Sequence, residues 1–245
     1  MNQFYCPNKN LDAKTLELTD SKEVHHIIQV LRLKPGEKLT LFDGRGKTAL
    51  GEIVSVGKQK VTVKIQSVQT RQKTFHITLA CSIPKKGKFE TIIEKSTELG
   101  VDEIIPLTTQ RSEVHIPADR LNRKIERYTT VAVNAAKQSR RATVPVIHAV
   151  SEYEKAIPQL AKNSVLIVPS LLIEQRVGMF ECFKKIGAPE KITIAIGPEG
   201  DFTPQEYVLA QKCGGHLVSL GNTVLKVETA ALTALACAHV YFDSN

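Results

Sequence analysis

The sequence predicts a mixed α/β chain in two parts: a small β-rich region with one helix over residues 1–72, and an α/β domain over residues 73–245. Three observations carry this. Between residues 39 and 68, short alternating or β-branched runs are separated by turn dipeptides, the pattern of antiparallel strands. From residue 76 onward, apolar strand-like runs alternate with helical periodicity, the order of a parallel sheet with crossover helices. Near the end, two apolar runs (Ile192, Ile194 and Ile196; Leu217, Val218 and Leu220) each stop at a glycine before a helix. That is the strand, loop, helix order of an α/β ligand site, and the two loops are expected to face one pocket.

In the first part, Val24, Ile27, Ile28 and Leu31 of 21-SKEVHHIIQVLR-32 fall at helical spacing behind Ser21 as candidate cap. Leu39 and Leu41 follow, then Ile53, Val54 and Val56, then Val61, Val63, Ile65 and Val68. They are divided by Pro35-Gly36, Asp43-Gly44-Arg45-Gly46 and Gly57-Lys58-Gln59-Lys60, which is turn chemistry. A small β-barrel carrying one helix accounts for the pattern, and the basic stretch 71–75 reads as a linker.

The second part opens with a strand over 76–83. A helix follows, with Phe89, Ile92, Ile93 and Ser96 on one face and Gly100 at its end, and then a strand from Glu103 to Leu107. A long helix repeats Leu121, Ile125, Tyr128, Ala132 and Ala135 at steps of four and three. Further helices are expected over 151–163 and 174–186, with a buried strand within 164–173. Thr203, Pro204 and Glu206 then fit the N-cap, N1 and N3 positions of a capping box. This makes 197–202 a tight loop in which Gly197 and Gly200 are expected to permit positive φ and to let a ligand approach bare backbone. An ordinary glycine-rich turn has the same composition, and Gly221-Asn222 is also a good turn pair.

The chain carries a net charge of +8 and a pI near 9.2, which suggests a polyanionic partner. Clustering sharpens this. The long helix bears Arg120, Arg123, Lys124, Arg127 and Lys137 and runs into Gln138-Ser139-Arg140-Arg141, with only Asp119 and Glu126 as offsetting charges along it. Such one-sided charge is a candidate phosphate footprint, whereas a merely solvated face more often mixes signs. The five cysteines are far apart and form no CxxC pair, so they read as reduced buried thiols, with no metal site expected. No apolar run reaches membrane-spanning length, and a cytoplasmic location is expected. There is no P-loop, GxGxxG, GxSxG or HExxH motif, which removes the readily recognised nucleotide-hydrolase, Rossmann, esterase and zincin chemistries.

The pairing of IGPEGDFTPQE with LGNTVLKVETAAL resembles the C-terminal signature of the SPOUT methyltransferases, specifically the ribosomal RNA small subunit methyltransferase E family. The N-terminal segment 25-HHIIQVLRLKPGE-37, with the DG turn after it, resembles that family's PUA-like RNA-binding barrel. Lys88, Glu94, Lys95 and Glu98 match a further family stretch. The resemblance implies a trefoil-knotted methyltransferase domain that binds S-adenosylmethionine, a homodimer, and methylation of N3 of a uridine in 16S rRNA of the small ribosomal subunit. It places the cofactor against Ile196, Gly197, Glu199, Gly200, Leu220, Gly221, Val224 and Leu225, and RNA near Gln138 and Arg140; Arg32 and Arg111 are further candidate RNA contacts. Arg123, Lys124 and Arg127 join the RNA set from the charge pattern. Lys226 stands where the family usually has arginine and, with Arg140, is the candidate for stabilising a uridine anion. Asp201 stands where a glycine is usual. Two alternatives remain: a ribosome-binding factor without catalysis, and a related enzyme acting on tRNA.

Overall fold

The computed structural model describes residues 2–71, 73–85, 87–171 and 177–242. The chain divides into two compact units, Met1–Lys73 with Val133–Val144, and Thr74–Ala132 with Pro145–Asn245.

The first unit contains β1 (Gln3–Tyr5), β2 (Thr15–Leu18), α1 (Ser21–His25) with a π-helical turn (His26–Val30), β3 (Lys38–Phe42), β4 (Lys47–Val56) and β5 (Val61–Thr70). Its five-stranded sheet runs in the order β1-β3-β4-β5-β2, parallel between β1 and β3 and antiparallel elsewhere. Alternate residues point inward, so Leu39, Leu41, Ile53, Val61 and Val63 bury against Phe4, Leu16, Val24 and Ile27. Register shifts at Leu50/Gly51 and Ile53/Ser55 bend the long β4–β5 ribbon. Gly51 is required at the first of these, because a Cβ there would lie 2.3 Å from Val63 Cγ1. The helix is capped one residue earlier than the Ser21 pattern suggests. Asp20 accepts hydrogen bonds from the Lys22 and Glu23 amides, both at 3.0 Å. It also leaves the α geometry after one turn, with the Leu31 amide donating to the His26 carbonyl at 2.9 Å.

The second unit contains β6 (His76–Ser82), α2 (Lys88–Glu98), β7 (Glu103–Thr108) and the first part of α3 (Ala118–Gln138), whose last residues belong to the first unit. There follow β8 (Val146–Ile147), β9 (Ser151–Glu152), α4 (Tyr153–Asn163), β10 (Val165–Pro169), α5 (Met179–Ile186), β11 (Lys191–Ile196), α6 (Pro204–Lys212), β12 (His216–Val218) and α7 (Val227–Phe242). Residues 174–176 of the expected helix 174–186 lie outside the described residues. All described pairings are parallel, in the order β12-β10-β11-β6-β7-β8, with β9 also on β7. The central strands are covered on both faces, so Ile77, Leu79, Ala80, Ile192, Ile194 and Ala195 are almost wholly buried. Parallel strands bring the loops after β6, β7, β10, β11 and β12 out at one edge of the sheet, where α/β proteins place their sites. The small residues of α7 serve this unit itself: Ala231, Ala234 and Ala238 are buried where the helix packs on α2, α5, β6 and β11.

Candidate functional site

A cavity of about 240 Å³ opens at that edge. Its wall comes from the loop after β10 (Pro169, Ser170, Leu171), the loop after β11 (Ile196 to Glu199, and Asp201) and the segment from Leu220 into the start of α7. The structure thus brings Ile196, Gly197, Glu199, Leu220, Gly221, Val224 and Leu225 together, and Gly200 is left out of the lining. Sequence reasoning missed the β10 loop. Strand β10 lies between β12 and β11, so its end necessarily sits between the two glycine loops, but Pro169-Ser170 carries no glycine signal.

The first glycine loop is built differently from its composition. Gly197 and Gly200 do not adopt positive φ; Asp201 does, at 60°. Gly197 is needed for space, since a Cβ there would lie 3.1 Å from the Phe202 amide nitrogen. The Asp201 amide closes a turn onto the Pro198 carbonyl at 2.9 Å. Its Oδ1 accepts from the Phe202 amide at 2.8 Å and from the Tyr207 hydroxyl at 2.6 Å. Burial, and next that hydrogen bond to Asp201, raise the Tyr207 phenol well above its ordinary value, so it stays a donor. Phe202 is fully buried between the rings of Tyr153 and Tyr207 and anchors the loop.

Neighbouring loops brace this one. The capping box is present: the Glu206 amide donates to Thr203 Oγ1, and Glu206 Oε2 accepts from the Thr203 amide at 2.7 Å. Glu206 Oε1 accepts from the Gln110 amide at 3.0 Å, so this 1% exposed carboxylate also ties the loop after β7 to α6. Arg111 donates to the Gly200 carbonyl at 2.7 Å. An arginine expected to contact RNA therefore braces the glycine loop. The Lys85 amide donates to Glu199 Oε1 at 3.0 Å, and the Lys85 ammonium pairs with Glu113. Ser112 belongs to a buried hydroxyl cluster with Ser82 and Thr109.

In the second loop Gly221 has φ of 123°, and a Cβ there would meet no protein atom within 4 Å, so it would project into open space. Lys226 lines the cavity and is exposed. Glu228 lies in the first turn of α7. It pairs with Lys88 of α2, whose hydrogen bond lowers the carboxyl.

The basic helix α3 is less one-sided than its sequence. Arg127 forms a two-pronged pair with Glu90, at 2.8 Å from Nε and 2.8 Å from Nη2. In the first unit, Lys137 holds Glu23 at 2.7 and 2.8 Å. Lys124 lies 5.5 Å over the Tyr128 ring. Arg123 is exposed and makes no ion pair among the described residues. Two other candidates share an unusual backbone. Arg140, beside the exposed Gln138, has φ of 57° and occupies the left-handed position ending α3, where the Arg141 amide reaches the Ala136 carbonyl at 2.9 Å. Arg32 has φ of 53° just after the π-helical turn and is also exposed.

Among the described residues no group of three or more His, Cys, Asp or Glu is placed to hold a metal ion. The five cysteines are free: Cys6, Cys81 and Cys182 are buried, whereas Cys213 and Cys237 are only partly so. Burial pushes the Cys6 thiol up to about 12 and Cys81 higher still. No helix among the described residues is long and apolar enough to cross a membrane.

Residues 71–239 match the RNA methyltransferase domain and residues 18–66 match the RNA methyltransferase PUA domain. The ribosomal RNA small subunit methyltransferase E of Rickettsia conorii is 33% identical over 96% of this chain and 93% of its own length. The chain belongs to the ribosomal RNA small subunit methyltransferase E family. The Bacillus subtilis member is 31% identical over 92% of this chain and 90% of its own. In structure, the Neisseria gonorrhoeae member bound to S-adenosyl methionine superposes with a TM-score of 0.86 at 29% identity, covering 99% of this chain and 98% of that one. A Legionella pneumophila structure in complex with the same cofactor gives 0.84 at 30% identity, covering 98% and 97%. The mixed α/β fold with a PUA-like N-terminal domain and a C-terminal parallel-sheet methyltransferase domain follows.

Proposed function

We propose that this chain methylates N3 of a uridine in 16S rRNA of the small ribosomal subunit, with S-adenosylmethionine as methyl donor. The observation that carries this is the convergence of three loops on one cavity at the carboxyl edge of the parallel sheet, in a chain of this family. The residues fit the donor. Ile196, Leu220, Val224, Leu225 and Val227 offer apolar surface for a base and ribose, bare backbone at Gly197 and Gly221 lets a ligand approach, and the carboxylates of Glu199 and Asp201 suit a cationic donor. A bound sulfonium supplies an already activated methyl group, so the protein's task is mainly to hold donor and acceptor in line.

Uridine N3 carries a proton at neutral pH and lies on the Watson–Crick edge, so the target base must be unpaired or flipped. Among the described residues lining the cavity, Lys226 is the one cation. Its role is to stabilise the imide anion that develops as the N3 proton leaves to solvent. Single-turnover rates are expected to rise with pH to a plateau, and Lys226→Ala to move that plateau to higher pH with cofactor affinity little changed; superimposable profiles would remove the role.

Arg32, Arg123, Lys124, Gln138 and Arg140 are proposed as the RNA-contacting residues. A homodimer, a cytoplasmic location and a knotted C-terminal domain belong to the same reading. The strongly exposed Val224, Phe180 and Val240 offer apolar surface for a second copy, and sedimentation tests it. The activity itself is tested by nucleoside mass spectrometry of 16S rRNA from a deletion strain before and after treatment with the purified protein and donor. Absence of a restored methyluridine would overturn the proposal, and RNA binding without cofactor binding would favour a non-catalytic ribosome-binding factor.

A further inference from the structure

The cavity carries a charge that its apolar lining does not require. Its ionisable described residues are Glu199, Asp201 and Lys226, two carboxylates against one ammonium. Glu199 is exposed and accepts the Lys85 amide. Asp201 is more confined. Its Oδ1 takes both local donors, Tyr207 and Phe202, and its Oδ2 has no hydrogen-bond partner among the described residues. The backbone at Asp201 holds φ of 60°, a left-handed conformation that glycine enters freely and that aspartate tolerates better than most side chains because its carboxylate bonds locally. An anion held by its neighbours at a cavity wall, with one oxygen left for a ligand, is a functional candidate.

We propose that Asp201 distinguishes the methyl donor from its demethylated product by charge, holding S-adenosylmethionine in preference to S-adenosylhomocysteine. This rests on the reading of the cavity as the donor site. The donor carries a sulfonium and an ammonium against one carboxylate, a net single positive charge. When the methyl group passes to the uridine nitrogen, the electron pair of the broken carbon–sulfur bond stays on sulfur and the N3 proton leaves to solvent. The product is then a neutral thioether with no net charge. A fixed anion attracts the first and gains nothing from the change in the second, so product is exchanged for fresh donor. Were the two unit charges about 6 Å apart at an effective dielectric between about 40 and 80, the attraction would amount to roughly a three- to tenfold preference.

Calorimetric titration of the full-length protein with each compound tests this in wild type, Asp201→Asn and Asp201→Gly. Asparagine keeps the Oδ1 acceptor and tolerates the left-handed backbone, while glycine relieves it, and both remove the charge. The expected result is that the ratio of the two dissociation constants shifts by roughly three- to tenfold against the donor in both variants, with product affinity changed by less than about twofold. Equal loss of both affinities, or an unchanged ratio, would overturn the inference while leaving the donor site in place. A wild-type protein that binds neither compound would instead overturn the reading of the cavity, and this inference with it.

Discussion

Replacing Glu206 tests whether the loops around the cavity are held by one buried carboxylate. In Glu206→Ala, the Thr203 amide loses its 2.7 Å acceptor and the Gln110 amide its 3.0 Å acceptor. Thr203 is only 8% exposed, so its orphaned N–H bears most of the desolvation penalty of about 1–3 kcal/mol, while the more exposed Gln110 amide recovers part of its loss from water. The Glu206 amide keeps its Thr203 Oγ1 acceptor at 3.3 Å, so half of the capping box survives. Removing a buried charge returns some of the cost of burying it. The balance is a loss of about 2–3 kcal/mol, which for a chain of this size lowers the melting temperature by about 4–12 °C. Glu206→Gln keeps one acceptor oxygen and turns an amide group toward the other N–H, so it is expected to fall between the two. Urea unfolding followed by circular dichroism reads the difference as a shift in midpoint at constant slope. An alanine variant within about 0.5 kcal/mol of wild type would mean that water replaces both bonds and that the bracing argument is wrong.

Gly221→Val is expected to abolish S-adenosylmethionine binding in calorimetry while the far-ultraviolet spectrum is kept, because the valine is strained at φ of 123° and projects into open space at the cavity; unchanged affinity would remove the second loop from the site. Glu103 accepts from Lys191 at 2.6 Å and from His148 at 2.8 Å. Burial raises its carboxyl and these two hydrogen bonds outweigh that, so it sits below its ordinary value. Its stabilisation is therefore present above the unfolded value of about 4.3 and lost as pH falls through the folded one, and Glu103→Gln should flatten the acid limb of a stability–pH curve; parallel limbs would refute this. Arg123→Ala should lower the log–log salt slope of 16S rRNA binding by up to about 0.7–0.9, whereas Arg127→Ala should leave the slope unchanged and cost about 0.2–1 kcal/mol of stability through its pair with Glu90; equal slope changes would show that Glu90 releases its partner to RNA.

What was legible follows from range. The capping box at Thr203–Glu206, the buried face of Phe89, Ile92, Ile93 and Ser96, and the stop at Gly197 are set by neighbours within a turn or two, and the structure has them; the second strand ends at Val218, short of Leu220 and Gly221. The left-handed arginines were not legible, because Arg32 and Arg140 are not types that announce positive φ, whereas Asp201 is of a type that visits it and stands where a glycine is usual. Each is held there by what surrounds it: a π-helical turn, a helix C-terminus, and an aspartate bonded to Tyr207 and Phe202. The π-helical turn itself was hidden, since Val24 and Ile27 are buried whichever helical form carries them.

Charge was legible in amount and not in disposition. Along α3 the cations look unopposed because a sequence shows only the carboxylates on the same helix, and the ones that matter come from elsewhere. Glu90 is 37 residues from Arg127 and Glu23 is 114 from Lys137. Pairing of this kind changes what a cation can do for RNA. A lysine locked between two carboxylate oxygens, as Lys137 is, must break that contact before it can release a counterion from a phosphate, so it is expected to add less to the salt dependence than Arg123, which makes no ion pair among the described residues. The net charge of +8 therefore overstates what α3 offers RNA under the proposed reading, because Arg127 and Lys137 are already paired, while Arg123 and Lys124, in the first third of the helix, keep their proposed role.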